Sequence, residues 1–260
     1  MPSRLGQNFL VNKEAIKKIV QKLKIAEKDL VVEIGPGKGA LTFPLLKSKL
    51  RSLVAIEKDA ELAEELIALK EKRLEIIIGD ALVEMPAVAS SLGGLKYKLI
   101  GNLPYYITGY FFRTLAALDN KPELAVFMIQ KEVAQRMTAE KGKMNLLAAA
   151  MQIWAEIKIE MTLGSRDFKP EPKVSSAVIS LKPKVATGIN LAQYYTFIKI
   201  LFKQPRKTIL NNLRAAGYAK EIIEERMKEM KIKEEARAES LDLETIIKLS
   251  QKSFEVKASL

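Results

Sequence analysis

Five apolar runs separated by helical segments organise the first half of the chain: Leu30–Ile34, Leu53–Ile56, Leu74–Ile78, Lys98–Ile100 and Leu124–Ile129. A strand that is apolar on both faces must be covered on both, and helices between successive strands supply the cover. The pattern predicts a mostly parallel sheet buried between helices. Two further runs, Ile153–Leu163 and Val174–Leu181, have little helical sequence between them and are expected to close the sheet as an antiparallel hairpin, giving seven strands. A helix precedes the first strand, because Ile16, Ile19, Val20 and Leu23 follow the i, i+3, i+4, i+7 spacing of one face.

The alternation stops at Lys182–Gly188, which reads as a linker. Beyond it the apolar residues follow a helical period: Phe197, Ile198, Leu201 and Phe202, then Ile209, Leu210 and Leu213 with Gly217 placed to end that helix. Ile222–Met230 and Leu243–Leu249 add two more helices. The expected organisation is an α/β domain over residues 1–184 and a small all-α domain over 189–260.

Ligands of open parallel sheets bind at the carboxyl ends of the strands. The first predicted strand runs into Glu33-Ile34-Gly35-Pro36-Gly37-Lys38-Gly39, whose spacing is GxGxG rather than the GxGxxG of dinucleotide-binding turns. The next ends in Glu57-Lys58-Asp59, with Glu57 22 positions after Gly35, near the spacing at which an acid meets a ribose diol. The third ends in Gly79-Asp80-Ala81, which can set a carboxylate beside an adenine amine. Each acid alone reads as a helix cap or a solvated charge; three successive strand ends of this kind read as a nucleoside site. The fourth carries Gly101-Asn102-Leu103-Pro104-Tyr105, an amide, a rigid turn and a ring suited to capturing a planar base. The alternative there is a strand-ending turn that serves only backbone geometry.

The chain contains no Cys and no His. Cysteine nucleophiles, Ser-His dyads and zinc deaminase sites are therefore excluded, and the chemistry must run on other groups with a cofactor's help. The formal charge of +12, spread over both predicted domains, points to a polyanionic partner, most simply nucleic acid. A Lys/Glu-rich solvated surface is the alternative. Among the basic residues, Lys203, Arg206, Lys207 and Arg214 are expected to contact phosphates of such a partner, with a solvated helix face as the alternative. No apolar run is long enough to cross a bilayer and no signal-peptide pattern opens the sequence, so a cytoplasmic protein is expected.

Glu33–Thr42 with Glu57 and Asp80 resembles the class I methyltransferases, and Asn102–Tyr105 matches the NLPY form of the signature of amino-methylating enzymes. Together with Gly6–Leu10, Phe168–Ala177, Gln204–Thr208 and Arg237–Glu239, these motifs are similar to the KsgA/Dim family of small-subunit ribosomal RNA adenine dimethyltransferases over nearly the whole chain. Three features differ from the family pattern: only five residues precede Gly6, Tyr106 stands where many relatives have Asn, and Pro205 interrupts a basic run. The resemblance implies a seven-stranded Rossmann-like methyltransferase sheet, a small C-terminal helical domain that recognises RNA, and S-adenosylmethionine as cofactor. It further implies dimethylation of N6 of two adjacent adenines in the 3'-terminal hairpin loop of 16S rRNA, within the immature 30S subunit, by a monomer using no metal. Asn8, Leu10, Gly35, Gly37, Glu57, Lys58, Asp80, Ala81 and Asn102 would then bind the cofactor. Asn102, Leu103, Pro104 and Tyr105 would hold the base, with Phe168 over its other face. The rival readings are an Erm-type large-subunit rRNA adenine methyltransferase, a non-catalytic ribosome-assembly factor on the same fold and, more distantly, an NAD-dependent oxidoreductase.

Overall fold

A computed structural model describes residues 8–104 and 106–252. The chain opens with a two-residue strand β1 (Phe9–Leu10) and helix α1 (Lys13–Lys22), then alternates strand and helix: β2 (Leu30–Ile34), α2 (Thr42–Leu46), β3 (Ser52–Glu57), α3 (Ala60–Ile67), β4 (Leu74–Ile78), α4 (Ala81–Ser91), β5 (Tyr97–Asn102), α5 (Thr108–Ala117) and β6 (Leu124–Gln130). Two helices follow, α6 (Lys131–Met137) and α7 (Leu146–Gln152), and then three strands, β7 (Ala155–Leu163), β8 (Phe168–Lys169) and β9 (Ser176–Pro183). The chain ends in α8 (Leu191–Leu201), α9 (Ile209–Arg214), α10 (Lys220–Glu229) and α11 (Leu243–Ser250).

Seven strands form one sheet in the order β4-β3-β2-β5-β6-β9-β7. The β2–β3, β3–β4, β2–β5 and β5–β6 pairs are parallel, and β9 runs antiparallel to β6. From β2 the chain steps outward through β3 to β4, then returns to pair β5 with the other edge of β2. The carboxyl ends of β2 and β5 therefore flank a topological switch point, where a crevice opens in sheets of this kind. Beneath it the interior is well filled: the rings of Phe111, Phe112 and Phe127 meet edge-to-face at 5.5–6.4 Å.

The fold class expected from the alternation is the one observed. Strand β7 starts at Ala155 rather than Ile153, because Ile153 still serves as the C-terminal cap of α7. Between β7 and β9 the chain makes a feature absent from the expected pattern, the short pairing of β1 with β8, in which Leu10 lies opposite Phe168. The Asn12 amide donates to the Asp167 carboxylate at 2.6 Å and the Val11 N–H to the Asp167 carbonyl at 2.8 Å, so the amino-terminal segment is bolted to this strand.

The residues divide into two compact units. The sheet unit runs to Ala134 and resumes over Glu156–Pro183; the helical unit takes Gln135–Ala155 and the residues from Lys184 onward. The interruption is the difference from a contiguous 1–184 domain. Helix α7 buries Ala148, Ala149 and Met151, the Tyr194 hydroxyl donates to the Ala149 carbonyl at 3.0 Å, and the Gly142 N–H reaches the Glu239 carbonyl at 2.8 Å. Those bonds tie residues 135–155 to the C-terminal helices although they lie between two strands in sequence.

Candidate active site

Strand β2 delivers the glycine turn to the switch point. The Gly35 N–H donates to the Ile56 carbonyl at 2.9 Å, which fixes the turn against β3. Gly37 has φ +56, a left-handed conformation that favours glycine, and a Cβ there would stand 3.2 Å from the Phe9 ring, so the turn passes close to β1. The Gly37 N–H in turn donates to Glu57 Oε2 at 2.9 Å, and Glu57 Oε1 accepts the Asp59 N–H at 2.9 Å. Glu57 is only 3% exposed, yet each of its oxygens still has lone-pair capacity to accept a ligand hydroxyl.

Glu33 lies two residues before Gly35 and is 1% exposed. Burial pushes its carboxyl up to about 8, the Thr42 hydroxyl bond at 2.8 Å pulls it down, and the negative charge of Glu57 adds to the rise. In the sequence Glu33 stands out only as a member of the Glu33–Thr42 motif. Its signal was an acid inside a strand that is otherwise apolar on both faces.

Asp80 caps helix α4 through Oδ1, which accepts the Leu82 N–H at 2.9 Å, and pairs through Oδ2 with Lys58 Nζ at 2.8 Å. The Lys58 bond, with the cap bond second, holds the Asp80 carboxyl below its usual range, and the same pair raises the Lys58 ammonium. The helix-cap reading and the binding reading are thus compatible: cap and ion pair fix a partly exposed carboxylate at a strand end. Ala81 is the buried first residue of α4.

Across the switch point, Ile34 of β2 pairs with Gly101 of β5. A Cβ on Gly101 would come within 2.6 Å of the Ile34 carbonyl oxygen, so only glycine permits this approach. The next residue, Asn102, lies against the glycine turn: a Cβ on Gly35 would be 3.6 Å from its carbonyl oxygen. The Asn102 side-chain Nδ2 donates to the Asn8 carbonyl at 3.2 Å, which turns Oδ1 the other way. Leu103 is buried and its N–H donates to the Met128 carbonyl at 3.1 Å. The Pro104 carbonyl is engaged by the Ile107 N–H and the Thr108 hydroxyl, each at 3.2 Å. Among the described residues, neither Asn102 Oδ1 nor the Leu103 carbonyl accepts a hydrogen bond, so two acceptors remain at adjacent positions.

Tyr105 lies outside the described residues. Phe168, expected to cover a base, is 3% exposed and sits in the core cluster with Leu10, Ile100, Met128, Leu163 and Val178. Its ring is enclosed and supports β1 from below, because its strand pairs with Leu10, itself 5% exposed. Asn8 meets the site through its carbonyl, which accepts from Asn102, whereas Leu10 is enclosed in the core cluster and Phe168 presents no free stacking face. Among the described residues no cluster of acids could hold a metal ion, and no helix is long and apolar enough to cross a membrane.

A family model described as ribosomal RNA adenine dimethylase matches residues 2–253. The chain belongs to the ribosomal RNA adenine dimethylase family. It is 40% identical over 96% of its length to a protein of Chlorobaculum parvum named ribosomal RNA small subunit methyltransferase A, of which the alignment covers 88%. A Koribacter versatilis protein of the same name is 39% identical, with 95% of this chain and 92% of the relative aligned. Among solved structures, a dimethyladenosine transferase from Plasmodium falciparum superposes with a TM-score of 0.76 at 24% identity, covering 93% of this chain and 95% of that one. The 23S rRNA methyltransferase ErmE superposes with a TM-score of 0.74 at 22% identity, covering 94% and 98%. The two scores are so close that the fold alone does not favour one of these two structures over the other.

In this family member the expected RNA contacts, Lys203, Arg206, Lys207 and Arg214, are all exposed in the helical unit. Three of them lie on or beside the Gln204–Thr208 turn, which is built around a side chain that sequence reasoning missed. Asn212, 4% exposed, accepts the Gln204 N–H at 3.1 Å and donates to the carbonyls of Gln204 and Thr208 at 3.1 and 3.3 Å. Thr208 caps α9 through the Asn211 N–H at 3.2 Å. The available signal was a polar residue set between Ile209 and Leu213 on the buried stripe.

Proposed function

We propose that this chain transfers methyl groups from S-adenosylmethionine to N6 of two adjacent adenines in the 3'-terminal hairpin loop of small-subunit (16S) rRNA, acting as a cytoplasmic monomer on the immature 30S subunit without a metal. The observation that carries the reading is the pair of acceptors left open among the described residues, Asn102 Oδ1 and the Leu103 carbonyl, with Asn102 against the glycine turn at the switch point. The choice of small subunit over large rests on the relatives at about 40% identity.

The residues present fit the cofactor. A glycine cradle that a Cβ would fill, a buried carboxylate braced by two backbone N–H groups, and a second carboxylate fixed by a helix cap match, in turn, a close-packed chain, a ribose diol and an adenine amine. Gly35 and Gly37 would face the methionine end, Glu57 the ribose, Asp80 with Lys58 and Ala81 the adenine, and Asn8 would cover them. When bound, the cofactor supplies a methyl group on a positively charged sulfur.

The N6 amine of adenine is a poor nucleophile because its lone pair is delocalised into the ring. Asn102 Oδ1 and the Leu103 carbonyl accept its two hydrogens and draw the nitrogen toward tetrahedral geometry. The Asn8 carbonyl keeps the amide in the orientation this needs. Pro104, with its fixed φ and its carbonyl tied to Ile107 and Thr108, sets both acceptors before the base arrives, so no reorganisation is needed at the moment of transfer. Tyr105 stacks on the extruded base. No general base is required, because the methylated amine is strongly acidic until its proton leaves, and a chain without histidine is suited to that route. The monomethylated amine retains one hydrogen for the second transfer. Residues 189–260, with the basic turn at 204–208, hold the RNA through its phosphates.

The test is transfer of labelled methyl to unmethylated small and large ribosomal subunits, with nucleosides identified by mass spectrometry. N6,N6-dimethyladenosine in the small subunit is expected. Label confined to the large subunit, or no label in either, would reject the proposal.

A further inference from the structure

Helix α5 carries an outward face that the mechanism above does not use. Gly109, Tyr110 and Arg113 share one exposed face of α5, and Tyr106, in the turn just before the helix, continues that face at the i−3/i−4 spacing and is exposed as well. The two tyrosines are each 60% exposed, a large display of aromatic surface. Gly109 has no atom within 4 Å of where its Cβ would stand, so the backbone between the two tyrosines is open. The Arg113 guanidinium lies over the Tyr110 ring at 4.6 Å from its centroid. The stripe is joined to the base-holding turn, because the Pro104 carbonyl accepts both the Ile107 N–H and the Thr108 hydroxyl at the start of α5.

Resting on the function proposed above, we infer that this stripe is a second nucleotide platform: a base flanking the target adenine in the same RNA strand stacks on Tyr106 or Tyr110, and Arg113 pairs with the adjoining phosphate. Stacking on tyrosine beside an arginine is the chemistry by which proteins hold unpaired RNA bases, and it tolerates any base because each has a π face. Its continuity with the Asn102–Pro104 turn makes the occupant a neighbour of the target rather than a distant segment. An enzyme that must present two adjacent adenines in turn gains a place to park one while the other reacts.

The experiment is short-wave ultraviolet cross-linking of the full-length protein on unmethylated small ribosomal subunits, with nucleotide–peptide adducts mapped by mass spectrometry. Adducts on Tyr106 or Tyr110 are expected, carrying nucleotides adjacent to the methylated adenines. Kinetics on the same particle should show that Tyr106→Ala/Tyr110→Ala raises KM about tenfold while kcat changes by less than about threefold, and that Tyr110→Phe behaves as the parent. Both side chains are exposed, so truncation leaves the core intact. Absence of adducts over residues 106–113, or a double variant with unchanged KM, overturns the platform. Dimethylation of the small subunit in that same outcome would leave the function itself standing, whereas failure of the parent chain to methylate would reject the function instead.

Discussion

Glu57 and Arg206 each carry a single charge that we propose for binding, and the structure holds them in opposite ways. Glu57 is 3% exposed with both oxygens braced by backbone N–H groups, and its neighbour Glu33 is buried against Thr42. Arg206 stands exposed on a turn whose backbone, not whose side chains, is braced by Asn212. A site that must set one small molecule to within a fraction of an ångström fixes its charges individually. A surface that must hold a polyanion needs only charge density, because phosphate contacts add and are screened together. The sheet unit is accordingly sensitive to single atoms, and the helical unit to summed charge.

The largest effect expected from breaking this contrast is Asn102→Ala, which removes one of the two acceptors. Turnover should fall about a thousandfold while cofactor affinity measured by calorimetry stays close to that of the parent. Near-normal turnover would reject the role of the amide. Glu33 comes next. Its carboxyl is raised by burial from 4.5 to about 8, so the folded state holds a proton that the unfolded state releases. Its contribution is therefore most favourable below about pH 4.5 and is lost as pH rises toward 8, at up to about 1.4 kcal/mol per pH unit. Denaturation of Glu33→Gln across that window should show stability gained relative to the parent as pH increases; a constant difference would contradict a neutral buried acid. Gly101→Ala forces a Cβ against the Ile34 carbonyl and should cost about 3 kcal/mol, read as a drop in Tm.

In the helical unit the effects are smaller and of a different kind. Asn212→Ala leaves the Gln204 amide groups and the Thr208 carbonyl without their side-chain partner and should destabilise by about 2 kcal/mol. Neutralising Lys203, Arg206 and Lys207 together should leave Tm unchanged and lower the slope of log affinity against log salt by about 2. A slope that did not move would remove these residues from the RNA interface.

The sheet was legible because buried parallel strands leave an unbroken apolar signature, and the sequence places all seven within a few residues of where they lie. The strand-end row of Gly35, Glu57, Asp80 and Asn102 was legible for the same reason: topology brings successive carboxyl ends to one edge. What stayed hidden was set by long-range pairing. The two-residue strands β1 and β8 are too short to show a period, and their pairing encloses the Phe168 ring that sequence reasoning had left free to stack. Residues 135–155 lie between strands in sequence, yet α7 shows its buried face to the C-terminal helices, a partner that no local pattern names. Asn212 hides as a polar residue on an apolar stripe until the backbone it ties is seen.

The account turns on which atoms meet the adenine amine. A crystal structure with S-adenosylhomocysteine and adenosine soaked into the site reads this directly. The prediction is N6 within hydrogen-bonding distance of both Asn102 Oδ1 and the Leu103 carbonyl, with Nδ2 still donating to the Asn8 carbonyl. An amide rotated to present Nδ2 to the base, or a base bound with its amine out of reach of both oxygens, would contradict it.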